Sequence, residues 1–395
     1  MISIFANHRR DLLLVMVFAA VSALLLALPT GFEERVEKNA VRCRGRVVAT
    51  EDANIQQFGM VKQGEQGVSL EILDGPFEGE ILEGLNPLLG QMDRDTLFRE
   101  GDVALVVISL NPDGTVRYVN PQSHYRLGTQ LFLLALFALL LGVFGGWTGL
   151  KALLSFLFSA LAIWKVLVPM LLKGADPVWL SLGVVAAMSA AIIFLVAGPT
   201  RKGLVAFLGA FLGVLTSCLL AIHFTGSLHV HGAVLPFAET LLYSGFGHLD
   251  LSRIFVAAVF LAASGAVMDL AMDVSASMDE VVAKKPDITP LEAIRSGLTV
   301  GRAVVGTMTT TLLLAYSGSY VTLLMAFMAQ GVPLANLFNL IYVAAEVLKT
   351  LVGSFGLVMV APFTALAGGL IFTRNRIPKG NDQFALEGTE EVGGG

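Results

Sequence analysis

Apolar runs recur along the chain at 12–28, 129–147, 152–172, 178–198, 203–224, 254–273, 297–317 and 352–373. A helix crossing the hydrocarbon of a bilayer needs about 20 apolar residues, so each run predicts a spanning helix. The first follows Arg9 and Arg10, the opening that a secretory signal also uses. Pro29, Thr30, Gly31 and Phe32 offer no convincing small-residue cleavage site after Leu28, and residues 1–32 read as an uncleaved membrane anchor. Between the last two runs lies 319–350, whose apolar pieces 319–329 and 334–350 are parted by Gln330, Gly331 and Pro333. Both pieces are short for a crossing, which favours a re-entrant helical hairpin and about eight spans; two full crossings there would make about ten.

One long stretch is polar. Within residues 33–126, short strands are predicted at 41–50, 68–73, 80–83, 103–110 and 115–119. Turn residues punctuate them at Asp74-Gly75, Gly101-Asp102 and Asn111-Pro112-Asp113-Gly114. Strands this short over one small domain suggest a β-barrel of the OB or SH3 type. It carries no metal-ligand cluster and no catalytic trio, so a folded adaptor or gate cap is expected. The domains are then the anchor, this β domain, a transmembrane bundle over 127–374, and a polar, Gly-rich tail over 375–395 that reads as disordered.

Charge sets the orientation, because basic residues concentrate at the cytoplasmic ends of spans. With the N-terminus inside, that side receives Arg9, Arg10, Lys151, Arg201, Lys202, Lys284, Lys285, Arg295, Arg374, Arg376 and Lys379. The short connections opposite hold little beyond Lys173 and Arg253. Both termini are therefore expected in the cytoplasm and the β domain outside. Composition agrees: 55% of the 395 residues are hydrophobic and 14% charged, where a soluble domain has roughly 45–50% and 25%. Mean hydropathy is +0.74. That balance excludes a soluble enzyme, a disordered chain and a disulfide-built secreted module. A net charge of −5 leaves no basic surface for nucleic acid. Cys43 and Cys218 read as packing residues.

Ionisable groups at membrane depth are expensive and call for a partner or a task. Asp269 and Asp273 are four apart and share a helix face. Asp269 lies about 22 Å along its span from Ile254. Arg302 sits roughly one and a half turns into the next span, at the same depth by helix rise. An Asp269–Arg302 ion pair is expected, with Asp273 and Thr309 or Thr310 nearby. Thr307, Thr309, Thr310 and Thr311 either line a polar path or bond back to their own helix. Glu346 and Lys349, three apart, can pair on one face; in a re-entrant hairpin they would stand beside helix ends that bind ions or small solutes. Lys165, in mid-span, is expected to face the bundle interior. His229 and His231, with Glu239 or Asp250, form only a weak metal candidate, and His229, His231 and His248 read as ordinary loop histidines.

These residues resemble the YibE/F-like family of bacterial multi-pass membrane proteins. The resemblance rests on Gly265-Ala266, Asp269, Asp273 and Glu280; on Gly301-Arg302 and Gly306-Thr307-Met308-Thr309; on Ala315-Tyr316 and Gly318-Ser319; and on Ala345-Glu346, Lys349-Thr350-Leu351 and Gly353-Ser354. The Thr-Met-Thr-Asn-Thr usual in that family reads Thr307-Met308-Thr309-Thr310-Thr311 here, and its Glu-Glu reads Ala345-Glu346. The resemblance implies one span, an outer β-rich segment and a membrane bundle in the bacterial cytoplasmic (inner) membrane. A fainter pattern of intramembrane Asp, then Arg with a Thr-rich run, is similar to the export-motor permeases related to SecF.

Two classes of function remain. The first is a transporter or permease for an ion or small solute, with Asp269, Asp273, Arg302 and the threonines as its site. The second is a non-transporting membrane module whose outer β domain binds an envelope partner, its buried charges being structural. An enzyme is not expected. The paired aspartates lie on one helix without the Gly-x-Gly-Asp of intramembrane aspartyl proteases, and no Ser-His pair or metal motif lies in the bundle. No cofactor is expected. The bilayer is the implied partner, and a homo-oligomer is compatible with the sequence.

Overall fold

The computed structural model describes residues 2–35, 37 and 39–374. The tail 375–395, read as disordered above, lies outside them. The chain divides into two units, Gly31–Gly145 and Met1–Thr30 with Gly146–Gly395.

The first unit is built on six antiparallel strands: β1 (Ala40–Glu51), β2 (Ile55–Phe58), β3 (Val61–Ile72), β4 (Ile81–Leu89), β5 (Val103–Leu110) and β6 (Val116–His124). Their order is β2-β3-β1-β5-β6, with β4 also paired to β3. Alternation drives the packing: Cys43 and Val47, Val68, Leu70 and Ile72, and Val106 and Ile108 point inward around Phe98. The sheet curls until β4 comes beside β6, where the Tyr118 hydroxyl donates to the Leu85 carbonyl at 3.2 Å. β5 has the bounds its pattern predicts, β1, β3, β4 and β6 are longer than theirs, and β2 goes unmarked in the sequence. Val61–Gly67, the first half of β3, reads as polar pairs each followed by glycine, with no apolar alternation to mark its register. This curled sheet is the observed form of the expected barrel-like domain.

The helices are α1 (Ile2–Ala27), α2 (Leu127–Leu161), α3 (Val168–Leu172), α4 (Pro177–Ala197), α5 (Arg201–Ser227), α6 (Ala238–Tyr243), α7 (Leu251–Lys284), α8 (Pro290–Ala329), α9 (Leu334–Asn339) and α10 (Ile341–Thr373). Among the described residues, six helical stretches are long and apolar enough to cross a membrane: 127–172, 177–197, 201–227, 251–284, 290–318 and 341–373. Gly146 breaks the first of these with φ 52° and ψ −130°, a conformation open to glycine and strained for other residues. The division between the two units falls there. A wider π-turn at Ala162–Leu167 then leads into α3.

The re-entrant hairpin is not formed. Residues 319–329 are the last part of α8, and 341–350 are the first part of α10. Nothing near Gly318 or Thr350 stops a helix, and the piece lengths alone misled. One break is where the sequence marks it: α8 ends at Gln330, Gly331 adopts φ 68° as a left-handed cap, and Pro333 precedes the short α9; a second, unmarked, falls at the extended Leu340 between α9 and α10.

The centre of the bundle is α5, α7 and α10, whose backbones approach over small residues. A Cβ on Gly209 would strike Thr364, and one on Gly356 would strike Ser217 and lie 2.8 Å from the Gly213 carbonyl. Close approach over small residues is how helices associate without a hydrophobic drive between them. Around that seam Phe255, Phe260, Leu270 and Leu357 are fully buried.

Candidate functional site

The α7–α8 pair carries most of the candidate residues. Asp250 caps α7, accepting from the Arg253 amide at 3.0 Å. The predicted capping box opens α8: Thr289 and Glu292 bond reciprocally, with Pro290 in the first turn. Two glycines set the register between these antiparallel helices. A Cβ on Gly297 would press on Met278, and one on Gly301 would press on Ala361 of α10 and touch Val274. Extending that register puts Arg302 level with Asp273, and Asp269 about one turn deeper, level with Gly306.

No ion pair or hydrogen bond joins Asp269 to Arg302, contrary to the sequence expectation. Helix rise fixes depth but not the direction a side chain leaves its helix. The depth match itself was one turn off, because α7 continues to Lys284 and α8 begins at Pro290. Asp269, Asp273 and Arg302 all stand on exposed faces, and among the described residues none has an ion-pair partner. Exposed Ala262, Gly265, Asp269, Asp273 and Ala276 recur every three or four residues, so they form one stripe along α7.

The threonines bond back to α8. Thr307 donates to Val304 at 2.9 Å, Thr309 to Val305 at 3.0 Å, Thr310 to Gly306 at 3.1 Å and Thr311 to Thr307 at 3.0 Å. This satisfies each hydroxyl hydrogen and leaves the oxygen lone pairs free to accept. Thr307, Thr310 and Thr311 are exposed and Thr309 is half-buried.

Glu346 and Lys349 do pair, at 2.7 Å, on a partly buried face of α10. The Lys349 ammonium also lies 5.7 Å from the ring centre of Phe255 on α7, within cation–π range. Among the described residues, Glu346 is the only charged one lining a cleft of about 490 Å³ between the end of α8, the Gly331 turn, α9 and the start of α10. Tyr320, Phe338 and Met328 supply part of its apolar wall.

Other charges serve the scaffold. Lys165 donates to the Leu28 carbonyl at the end of α1, at 2.8 Å. Arg253 pairs with Asp176 at 2.5 Å, and that carboxyl is held below its ordinary range, chiefly by the guanidinium. His248 bonds the Leu172 carbonyl at 3.2 Å. No group of three His, Cys, Asp or Glu among the described residues could hold a metal. The sequence reading missed the small-residue seam, although Gly209, Gly213 and Ser217 at spacings of four were there to find.

Membrane-spanning helices, a small-residue core and a separate curled sheet define a polytopic membrane protein. A family model described as YibE/F-like protein matches residues 133–374. The chain belongs to that family. No curated protein and no solved structure matches it.

Proposed function

We propose that the protein is a permease for an ion or small solute, whose path runs along the α7–α8 face past Asp269, Asp273 and Arg302. One observation carries this reading: three ionisable side chains stand exposed, without counter-ions among the described residues, on helices apolar enough to cross a membrane. A charge at the centre of a spanning helix costs about 2.5–3.5 kcal/mol even on the gentler scales. Water or a polar surface on this face removes that cost, and lipid does not. Thr307 and Thr311, one turn apart with their hydroxyl hydrogens satisfied within the helix, offer oxygen atoms that a cation or a water file can use.

The same reading takes eight crossings: α1, the two parts of 127–172 on either side of Gly146, α4, α5, α7, α8 and α10. Both termini then lie on the cytoplasmic side of the bacterial inner membrane, together with the Lys151, Arg201, Lys202, Lys284, Lys285 and Arg295 end, and the β unit lies outside. The test is flux in sealed proteoliposomes, with protons, monovalent and divalent cations and small organic anions as a panel. Wild-type protein should pass at least one of them. Asp269→Asn and Arg302→Gln, each purified as folded protein, should not. No flux for any member of the panel, or undiminished flux in both variants, contradicts the proposal; the first result favours a non-transporting module whose β unit binds an envelope partner.

A further inference from the structure

We infer that a second copy of this chain packs on the exposed α7–α8 face, and that its Asp273 and Asp269 supply the counter-charge that Arg302 lacks within its own chain. The inference shares with the proposed function the premise that these groups lie at membrane depth.

The glycines of the bundle fall into two sets. In the seam of α5 and α10, a Cβ on Gly209, Gly213, Gly353 or Gly356 would meet a neighbouring helix within 3.5 Å. On the exposed face, a Cβ on Gly265 of α7, or on Gly306 or Gly318 of α8, would meet nothing within 4 Å. Small residues in spanning helices serve close helix–helix approach. In the seam that approach is made inside the chain, and on this face it is not. A face turned to lipid has a different chemistry, seen on the first part of α2, where Leu131, Phe132, Leu133 and Phe144 are exposed. From Gly265 to Asp273 on α7 and from Arg302 to Thr311 on α8 the face instead carries Gly265, Asp269 and Asp273 on one helix and Arg302, Gly306, Thr307 and Thr310 on the other, all exposed, and the exposed Leu313 and Leu314 follow only beyond that stretch.

Charge then selects the occupant. The face holds acid on α7 and base on α8, which makes it complementary to itself, as a two-fold interface must be. A two-fold axis along the membrane normal keeps every residue at its own depth. It sets α8 of one copy antiparallel to α7 of the other, repeating the arrangement that the chain already uses internally. Arg302 then meets the second copy's Asp273 at its own level and Asp269 one turn deeper. Each contact occurs twice. Gly306 and Thr310 lie at the contact, and Thr307 and Thr311, on the neighbouring edge of α8, face the path between copies.

The experiment uses the full chain in the membranes of cells that produce it. Thr310→Cys should form a dimer with a short bis-maleimide, while Leu219→Cys, on an exposed apolar face of α5, and the unsubstituted protein with its buried Cys43 and Cys218 should not. Adding Arg302→Asp to the Thr310→Cys chain should reduce that dimer to background. Co-expressing it with a differently tagged Thr310→Cys chain that carries Asp269→Arg and Asp273→Arg should restore the dimer between unlike tags. The inference is overturned if Thr310→Cys reacts with a lipid-soluble monofunctional maleimide yet forms no dimer. It is also overturned if the dimer persists unchanged with Arg302→Asp alone. The readout is a cross-linked band and not flux, so a dimer without flux removes the permease reading alone, and flux from a protein that never cross-links removes this inference alone.

Discussion

The ammonium of Lys165 donates to the main-chain carbonyl of Leu28, across 137 residues of sequence, at 2.8 Å. Nearer the start of α1, Lys151 pairs with Asp11 at 3.5 Å. Asp11 precedes Leu28 and Lys151 precedes Lys165, so α1 and the 147–172 stretch run in the same direction. The mid-span lysine thus caps a helix end, where the last carbonyls have no partner of their own. Lys165→Met should lower the stability of the detergent-solubilised protein by about 1 kcal/mol, the net worth of one hydrogen bond. Thermal unfolding followed by circular dichroism reads this; an unchanged midpoint would remove the capping role.

The seam and the open face predict opposite responses to one methyl group. Gly356→Ala inserts its Cβ against Ser217 and the Gly213 carbonyl, and should destabilise by about 1–3 kcal/mol through overpacking. Gly306→Ala meets nothing within 4 Å in its own chain, and should leave monomer stability equal or slightly improved, since alanine is favoured over glycine in helices by about 1 kcal/mol. Paired melting curves decide it, and equal losses in both variants would refute the distinction.

In the β unit, the Gln66 side chain is fully buried. It donates to the Phe98 carbonyl at 3.0 Å and accepts from the Phe98 amide at 3.0 Å and from Asn86 at 3.1 Å. Gln66→Leu strands the Phe98 amide and one Asn86 donor, and should cost about 2 kcal/mol in that unit. Hydrogen exchange of the Phe98 amide should speed up well before the bundle is affected. Retained protection at Phe98 would show that other groups replace the glutamine.

Acidification acts on the same unit. Asp74 accepts from the Arg44 amide at 2.6 Å and from the guanidinium at 2.9 Å. Its carboxyl is held below the ordinary range, first by that amide; partial burial opposes the shift and the guanidinium adds to it. A lowered folded-state value means that the stabilisation is complete above the ordinary carboxylate range and fades as pH falls through the lowered value. Both groups are largely exposed, so the effect is screened and small. Asp74→Asn should flatten this part of the acid-side dependence of β-unit stability, and an identical acid profile in the variant would dismiss the interaction.

Spanning helices and the β segment are legible in the sequence because they rest on length, apolarity and alternation, each a local property. The capping box at Thr289 and the break at Gly331-Pro333 are local too. Direction around a helix axis is not. Asp269 and Arg302 were matched for depth, but whether they face each other depends on how α10 wedges against Gly301, which no count along the chain reveals. The hairpin reading failed in a related way: the apolarity dips near Gly318 and Thr350 weaken a hydropathy window without breaking a helix. Glu346 and Lys349 succeeded because three residues on one helix fix both depth and direction.

The central claim is that the Thr307–Thr311 edge of the α7–α8 face meets water inside the membrane. Its most direct test is the rate at which a small, charged, membrane-impermeant thiol reagent modifies single cysteines in sealed vesicles. Thr307→Cys and Thr311→Cys should react at rates near that of a thiol in water, with Leu219→Cys essentially inert. If both α8 positions are as inert as Leu219→Cys while a lipid-soluble reagent labels all three, the face is lipid-exposed and the account is wrong.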